Sequence, residues 1–163
     1  MDPQLRPAEA TDFNFFYELY MHPDVNPYLL YEWMGEEEFR PVWQELMDKQ
    51  VLYVLEAGSE PVGMCKLVPQ YHRNSHMVYL GGVAIHPDHG GKGYGKSLME
   101  AIIQKAKANG IKRIELSTAV DNERAIRLYE RSGFQIEGRL RNYTWLKSEE
   151  RFIDEYLMSW LEG

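Results

Sequence analysis

Cross-linking chemistry is scarce in this chain: its 163 residues include one cysteine, Cys65. A lone cysteine closes no internal disulfide and builds no cysteine cage for a metal. It lies in the apolar run Val62-Gly63-Met64-Cys65-Lys66-Leu67-Val68, where it reads as a small buried group of a strand and suits a reducing compartment. Basic residues are also in short supply, because 18 Lys and Arg against 25 Asp and Glu leave a net charge of -7. That balance argues against a nucleic-acid partner, whose phosphates are held by Lys and Arg. The same acid excess either draws a cationic small substrate or simply keeps the protein in solution. Long apolar runs are missing too, and none approaches the roughly 18 residues of a membrane span. Met1 to Phe16 carries acids and prolines where a signal peptide needs a basic start and an apolar stretch. The expectation is a cytoplasmic protein, monomer or homodimer, with no membrane partner.

What is present fits one domain over residues 1–163, long enough to bury a full core unaided. No repeat or low-complexity tract interrupts it. Leu5-Arg6 reads as a short edge strand closed by Pro7. Thr11 or Asp12 can cap a helix over Phe13–Met21, since a short oxygen side chain accepts from the first free amides. A second helix is predicted over Glu36–Lys49, its acids early as the helix dipole prefers. Val51–Leu55 and Pro61–Val68 read as a hairpin around Gly58-Ser59, and a strand follows over His76–Ile85. Gly93–Asn109 is the clearest helix, with Leu98, Met99, Ile102, Ile103 and Ala106 forming an apolar stripe and Asn109-Gly110 ending it. Ile111–Thr118 is the next strand and Asn122–Ser132 a helix stopped by Gly133. Two closing strands, Phe134–Leu146 and Arg151–Leu161, flank the polar turn Lys147–Glu150. These elements predict a mixed α/β sheet with a strand–glycine loop–helix unit at its centre.

That unit reads Val83-Ala84-Ile85-His86-Pro87-Asp88-His89-Gly90-Gly91-Lys92-Gly93-Tyr94-Gly95-Lys96-Ser97. Its four glycines remove the side chains that would keep a ligand off the backbone. The amides at the helix start then face the ligand, and the dipole favours an anion there. Lys92 and Lys96 add positive charge. Gly90 to Ser97 also matches the nucleoside-triphosphatase pattern G-x-x-x-x-G-K-S/T letter for letter. Three features oppose that match. The chain left after Ser97 is short for a parallel nucleotide-binding sheet. The nearest strand ending in an acid for magnesium, Leu116–Asp121, is interrupted by Ser117 and Thr118. Pro87 and Asp88 have no role in it. His86 and His89 with Asp88 have the look of a metal group, but a strand-to-loop corner makes them a turn, and no metal is expected.

Val83-x-Ile85-x-Pro87 followed by Gly91-Lys92-Gly93-Tyr94-Gly95 resembles the acetyl-CoA loop of the GNAT family of N-acetyltransferases. The family pattern is Gln/Arg-x-x-Gly-x-Gly/Ala; here Gly93 and Gly95 fill its last two positions. Gly90 stands at the first, a departure that removes a bracing side chain and loosens the loop. Asn122, Ala125, Tyr129 and Gly133-Phe134 are similar to the family's second motif, in the right order and at the right distance. The resemblance spans Leu5 to Trp160. Glu137-Gly138-Arg139 to Asp154-Glu155-Tyr156-Leu157-Met158 is similar to members that acetylate amino acids, ribosomal-protein N-termini or polyamines. It implies a mostly antiparallel sheet of about seven strands with flanking helices, splayed between the fourth and fifth strands.

The implied reaction is direct acetyl transfer from acetyl-CoA, as co-substrate, to an amine. The resemblance places the pyrophosphate on Gly91, Lys92, Gly93, Tyr94, Gly95 and Lys96, with Gly90 also among the cofactor-binding residues. It places the pantetheine arm along the backbone of Val83, Ala84 and Ile85, with Gly81-Gly82 either a bulge or a close-packing point. Tyr129, whose ordinary pKa near 10 keeps its proton at neutral pH, is the expected donor to the leaving thiolate, or else a core aromatic. Asn122 caps its helix and, by the resemblance, also holds the cofactor.

No glutamate occupies the usual base positions. Glu115, two residues before Ser117 on the same strand face, is the direct-base candidate. The other route is deprotonation of an α-amine through water. A small-molecule or amino-acid α-amine is the favoured acceptor, with a protein N-terminus or lysine as alternatives. A further rival is a CoA-binding module without catalysis. Ten of the 21 aromatics lie between Phe13 and Trp43, forming either an acceptor pocket or helix core. The candidate acceptor residues are Tyr28, Tyr31, His76, Tyr79, Ser117 and Tyr143.

Overall fold

The computed structural model describes residues 2–163. Seven strands form a sheet in the order β1-β2-β3-β4-β5-β7-β6. They are β1 (Gln4–Pro7), β2 (Leu52–Ala57), β3 (Glu60–Pro69), β4 (Met77–Ile85), β5 (Arg113–Ala119), β6 (Gln135–Leu146) and β7 (Arg151–Leu161). The helices are α1 (Phe13–Tyr20), α2 (Glu36–Asp48), α3 (Tyr94–Ala108) and α4 (Glu123–Arg131). The β4–β5 pair is parallel, while β1–β2, β2–β3, β5–β7 and β6–β7 are antiparallel. A mostly antiparallel sheet of this kind is not the parallel sheet that the triphosphatase letters would require.

The chain divides into two compact units. One comprises the residues up to Leu67 together with Gly82–Leu98. Its core is aromatic: Phe13, Phe16 and Tyr20 line one face of α1, and Phe39 and Trp43 one face of α2. The Phe16 and Trp43 rings lie 5.2 Å apart, and Tyr20 and Phe39 5.5 Å. Burial of each such ring contributes roughly 1.5–3 kcal/mol. Tyr28 and Trp33 from the same aromatic-rich segment are instead exposed, so core and surface divide it. The expected cap of α1 takes a different form. Asp12 sits at the N-cap, but its carboxylate accepts from Arg6 at 2.8 and 3.0 Å and from the Glu9 amide at 2.7 Å. Burial alone would raise the Asp12 pKa; these donors bring it below the usual carboxylate value.

The second unit comprises Val68–Gly81 and Met99–Gly163. β5 alternates as a half-buried strand should: Ile114, Leu116 and Thr118 are buried while Arg113, Glu115 and Ser117 are not. The stripe of α3 is buried at Met99, Ile102 and Ala106, with Ile103 at its edge. Gly110, at φ +73, closes that helix, as Gly110 N–H bonds Lys107 O and Ile111 N–H bonds Ala106 O. The strand predicted from Ile111 starts at Arg113 because this closing turn occupies the residues before it.

Candidate functional site

The parallel β4–β5 ladder is short. It pairs Met77 with Arg113, Val78 with Ile114 and Tyr79 with Glu115, although β4 continues to Ile85 and β5 to Ala119. The expected splay between the fourth and fifth strands is this early end of the ladder. Beyond it, the backbone of β4 acquires a direction. The His86 amide donates to Val62 O of β3 at 2.8 Å. Backbone groups alternate sides along a strand, so those of Val83 and Ile85 turn to the other edge of β4. Gly82 stands in the left-handed region at φ +56, inside a strand, and a Cβ there would lie 3.0 Å from Tyr20 Oη. Of the two readings of Gly81-Gly82, close packing is met at Gly82, whose left-handed backbone and near neighbour both favour glycine.

His86 fixes where the strand ends. It is 7% exposed, its Nδ1 accepts from the Asp88 amide at 3.1 Å, and its Nε2 lies 2.9 Å from Glu18 Oε1. With Nδ1 accepting, the ring proton belongs on Nε2 and is donated to Glu18. Pro87–His89 form a single turn that closes when Gly90 N–H bonds Pro87 O at 3.1 Å. His86, Asp88 and His89 thus build a turn. Among the described residues no group of His, Cys, Asp or Glu is arranged to hold a metal.

The glycine loop follows. Gly91 and Gly93 are left-handed at φ +75 and +80, and a Cβ on either would meet nothing within 4 Å. The space above the loop is open, so the requirement for glycine is conformational. Gly90 is different: its backbone is extended, and a Cβ would press on Pro87 O at 3.3 Å. α3 then begins at Tyr94, with Lys92 and Lys96 exposed and Tyr94 and Gly95 partly covered. The first amides of a helix have no intrahelical acceptor, so this corner presents donors and a positive dipole end to an anion.

The second unit holds the side-chain chemistry. Asn122 caps α4, its Oδ1 accepting from the Ala125 amide at 3.4 Å. Tyr129 is 7% exposed, and its ring centroid lies 6.0 Å from that of Phe134. Gly133, at φ +99, ends the helix. Tyr79 Oη and Ser117 Oγ meet at 3.0 Å. Burial raises the Tyr79 pKa, and the nearby Tyr143 and Glu155 add to the effect. Thr144 donates a hydrogen bond to Glu155. Tyr79, Ser117, Glu155 and Thr144 thus form a polar group drawn from four strands.

Glu115 is not part of that group. Arg113 holds its carboxylate at 2.8 Å and also binds Glu137 at 2.6 Å, which accepts from Ser159. His76 is exposed where β4 begins, and its carbonyl accepts from the Lys112 amide. Tyr143 is 54% exposed and Tyr28 59%. Tyr31 is half-buried against Tyr20, at 5.7 Å, with Lys66 Nζ 5.9 Å from its ring centroid. Sequence reasoning missed Lys66, Glu155 and Thr144. Only Lys66 carries a local hint, a charge within the apolar run of β3; Glu155 and Thr144 lie on strands with several polar residues and carry none.

Comparison with known proteins matches the geometry. The profile of the acetyltransferase (GNAT) family matches residues 13–134. An L-amino acid N-acetyltransferase of Escherichia coli strain K12 is 29% identical over 161 residues, covering 95% of each chain. An uncharacterized N-acetyltransferase of Methanocaldococcus jannaschii is 27% identical over 113 residues; the match covers 67% of this chain and 49% of that relative, about half its length. The crystal structure of spermidine N-acetyltransferase from Vibrio cholerae in complex with CoA and spermine has the same fold, with a TM-score of 0.85 at 24% identity over 98% of this chain and 95% of that one.

Proposed function

The chain belongs to the GNAT family of acetyltransferases, and on that premise we propose that residues 1–163 act as one acetyl-CoA-dependent N-acetyltransferase domain whose acceptor is the α-amine of a small molecule. The observation that carries the reading is the glycine corner, where left-handed Gly91 and Gly93 open α3 toward free space. Acetyl-CoA brings the acetyl group as a thioester. The amides from Gly91 to Gly95, with Lys92 and Lys96, bind the pyrophosphate. The outward backbone groups of Val83 and Ile85 align the pantetheine arm, and the Asn122 side chain adds a hydrogen bond beside its capping role.

Transfer forms a C–N bond and breaks the C–S bond. Tyr129 Oη holds the proton that the departing sulfur takes up, and solvent restores it. The amine must lose a proton. Glu115 is already held by Arg113, which favours the route through water. A terminal α-amine whose carboxyl is tied up as an amide has a pKa near 8 and is about a tenth neutral at pH 7. A lysine amine is neutral in roughly one part in a thousand, and the α-amine of a free amino acid, beside its own carboxylate, falls between the two. Solvent can then take the proton, relayed by the hydrogen-bonded Tyr79–Ser117 pair.

The test is a thermal-shift titration with acetyl-CoA, CoA and Mg-ATP in parallel. At 100 times its Kd a ligand adds about 2.7 kcal/mol, a shift of about 5–11 °C for a domain of this size. Acetyl-CoA and CoA should both produce it. A shift with Mg-ATP alone would reinstate the triphosphatase reading of Gly90–Ser97.

A further inference from the structure

Lys66 is a cation in an unusual position. It lies on β3, opposite Leu52 of β2, in a run whose neighbours Val62, Gly63, Met64 and Cys65 are all buried. It is itself half-buried, and its Cβ would stand 3.8 Å from a Cβ placed on Gly82, where β4 turns. The same imagined Cβ meets Tyr20 Oη, so Lys66, Gly82 and Tyr20 share one face. Over that face the Tyr31 ring covers the ammonium at 5.9 Å.

Among the described residues no carboxylate pairs with Lys66. Glu45, which bears on Tyr31, is held by Lys49 at 3.0 Å, and Lys49 itself repels Lys66. Burial first, and Lys49 second, lower the Lys66 pKa. A methionine or leucine at this position would avoid the cost of burying a charge. A cation kept at such a cost, one strand from the backbone proposed to align the pantetheine arm, is set for an anion that arrives with the substrate.

We propose that Lys66, flanked by Gly82, Tyr20 and Tyr31, receives the carboxylate of an amino-acid acceptor and so selects free amino acids over polyamines and peptide N-termini. The proposal rests on the acetyltransferase reading above. A polyamine offers only further cations to this face, and like charges brought together repel. A peptide N-terminus offers a neutral amide where the free amino acid has its carboxylate.

The experiment measures CoA release with free L-amino acids, the corresponding amino-acid amides and spermidine, for the wild-type chain and for Lys66→Met. Wild type should favour acid over amide, and both over spermidine. Lys66→Met, which keeps the apolar stem, should raise the KM for the acid about tenfold to a hundredfold, as for loss of a hydrogen bond to a charged group. It should leave the KM for acetyl-CoA and turnover of the amide unchanged. The folded protein binds the Lys66 proton less tightly than the unfolded chain does, so the variant should melt no lower than wild type.

Preference for spermidine, or equal loss on acid and amide, overturns the inference alone. A raised KM for acetyl-CoA does the same, because it moves Lys66 to the cofactor. Binding of acetyl-CoA without turnover of any amine overturns the enzymatic reading, and this inference with it.

Discussion

The two ends of β4 carry different kinds of chemistry. From Gly82 to the start of α3 the groups proposed to hold the cofactor are backbone: the outward groups of Val83 and Ile85, then the amides around left-handed Gly91 and Gly93. Around Tyr79 they are side chains, with Ser117 at 3.0 Å and Glu155 and Thr144 beyond. A backbone donor is placed by dihedral angles, so it survives many changes of side chain and fails when the angles become unreachable. A side-chain group can be dismantled one atom at a time. Substitution at the loop should therefore act sharply and on the cofactor, and substitution in the cluster should act in steps and on the acceptor.

The largest effect is expected at the side chain proposed to perform a chemical step. Tyr129→Phe removes the hydroxyl proton and keeps the buried ring. The kcat should fall by about a hundredfold to ten-thousandfold, the usual contribution of a general acid, while the acetyl-CoA thermal shift remains. If instead the shift collapses and kcat follows only in proportion, Tyr129 is a core aromatic that supports the site by packing.

Next comes a change confined to backbone. Gly93→Val forces a β-branched residue to φ +80, a conformation such residues rarely adopt. Acetyl-CoA should bind more than tenfold more weakly, with far-UV circular dichroism unchanged. Gly90→Ala is the sharpening control. Its φ is ordinary and its Cβ meets only Pro87 O at 3.3 Å, so affinity should change about twofold or less, given the few tenths of an ångström to be accommodated. Equal losses from the two would mean that space above the loop, rather than backbone conformation, controls binding.

These two variants fall where the sequence could be read. The loop, the α4 cap and Tyr129 lie in contiguous segments whose physics is local. Glycine spacing, an asparagine before a helix and the apolar stripe of α3 each describe a few consecutive residues. The Tyr79 cluster draws on four strands, and its members meet only through the order β4-β5-β7-β6. The sequence offers Tyr79 and Ser117 as candidates but not as partners, and no local pattern links Glu155 or Thr144 to them. Glu115 illustrates the limit from the other side. Alternation put it on the correct face, yet it could not reveal that Arg113 on that same face would take its carboxylate. Lys66 was hidden for a further reason: one lysine in an apolar run reads as a strand residue at the surface until the Tyr31 ring is found over it.

Apart from the Gly90→Ala control, the smallest effect is expected within the Tyr79 cluster. Tyr79→Phe deletes one hydrogen bond to Ser117 and keeps the ring. A neutral hydrogen bond is worth about 0.5–1.5 kcal/mol net, so the KM for the acceptor should rise roughly twofold to twelvefold with little change in kcat. The pH profile tests the role of the hydroxyl. Burial lifts the Tyr79 pKa above its ordinary value, so the group stays protonated through the neutral range and donates or relays rather than removes a proton. The rise of kcat/KM with pH then belongs to the acceptor amine, and wild type and variant should climb in parallel. If Tyr79→Phe flattened that rise, Tyr79 would itself be the titrating base. The side-chain end of β4 would then carry a catalytic step as large as that of Tyr129, and the graded response expected of this end would not hold.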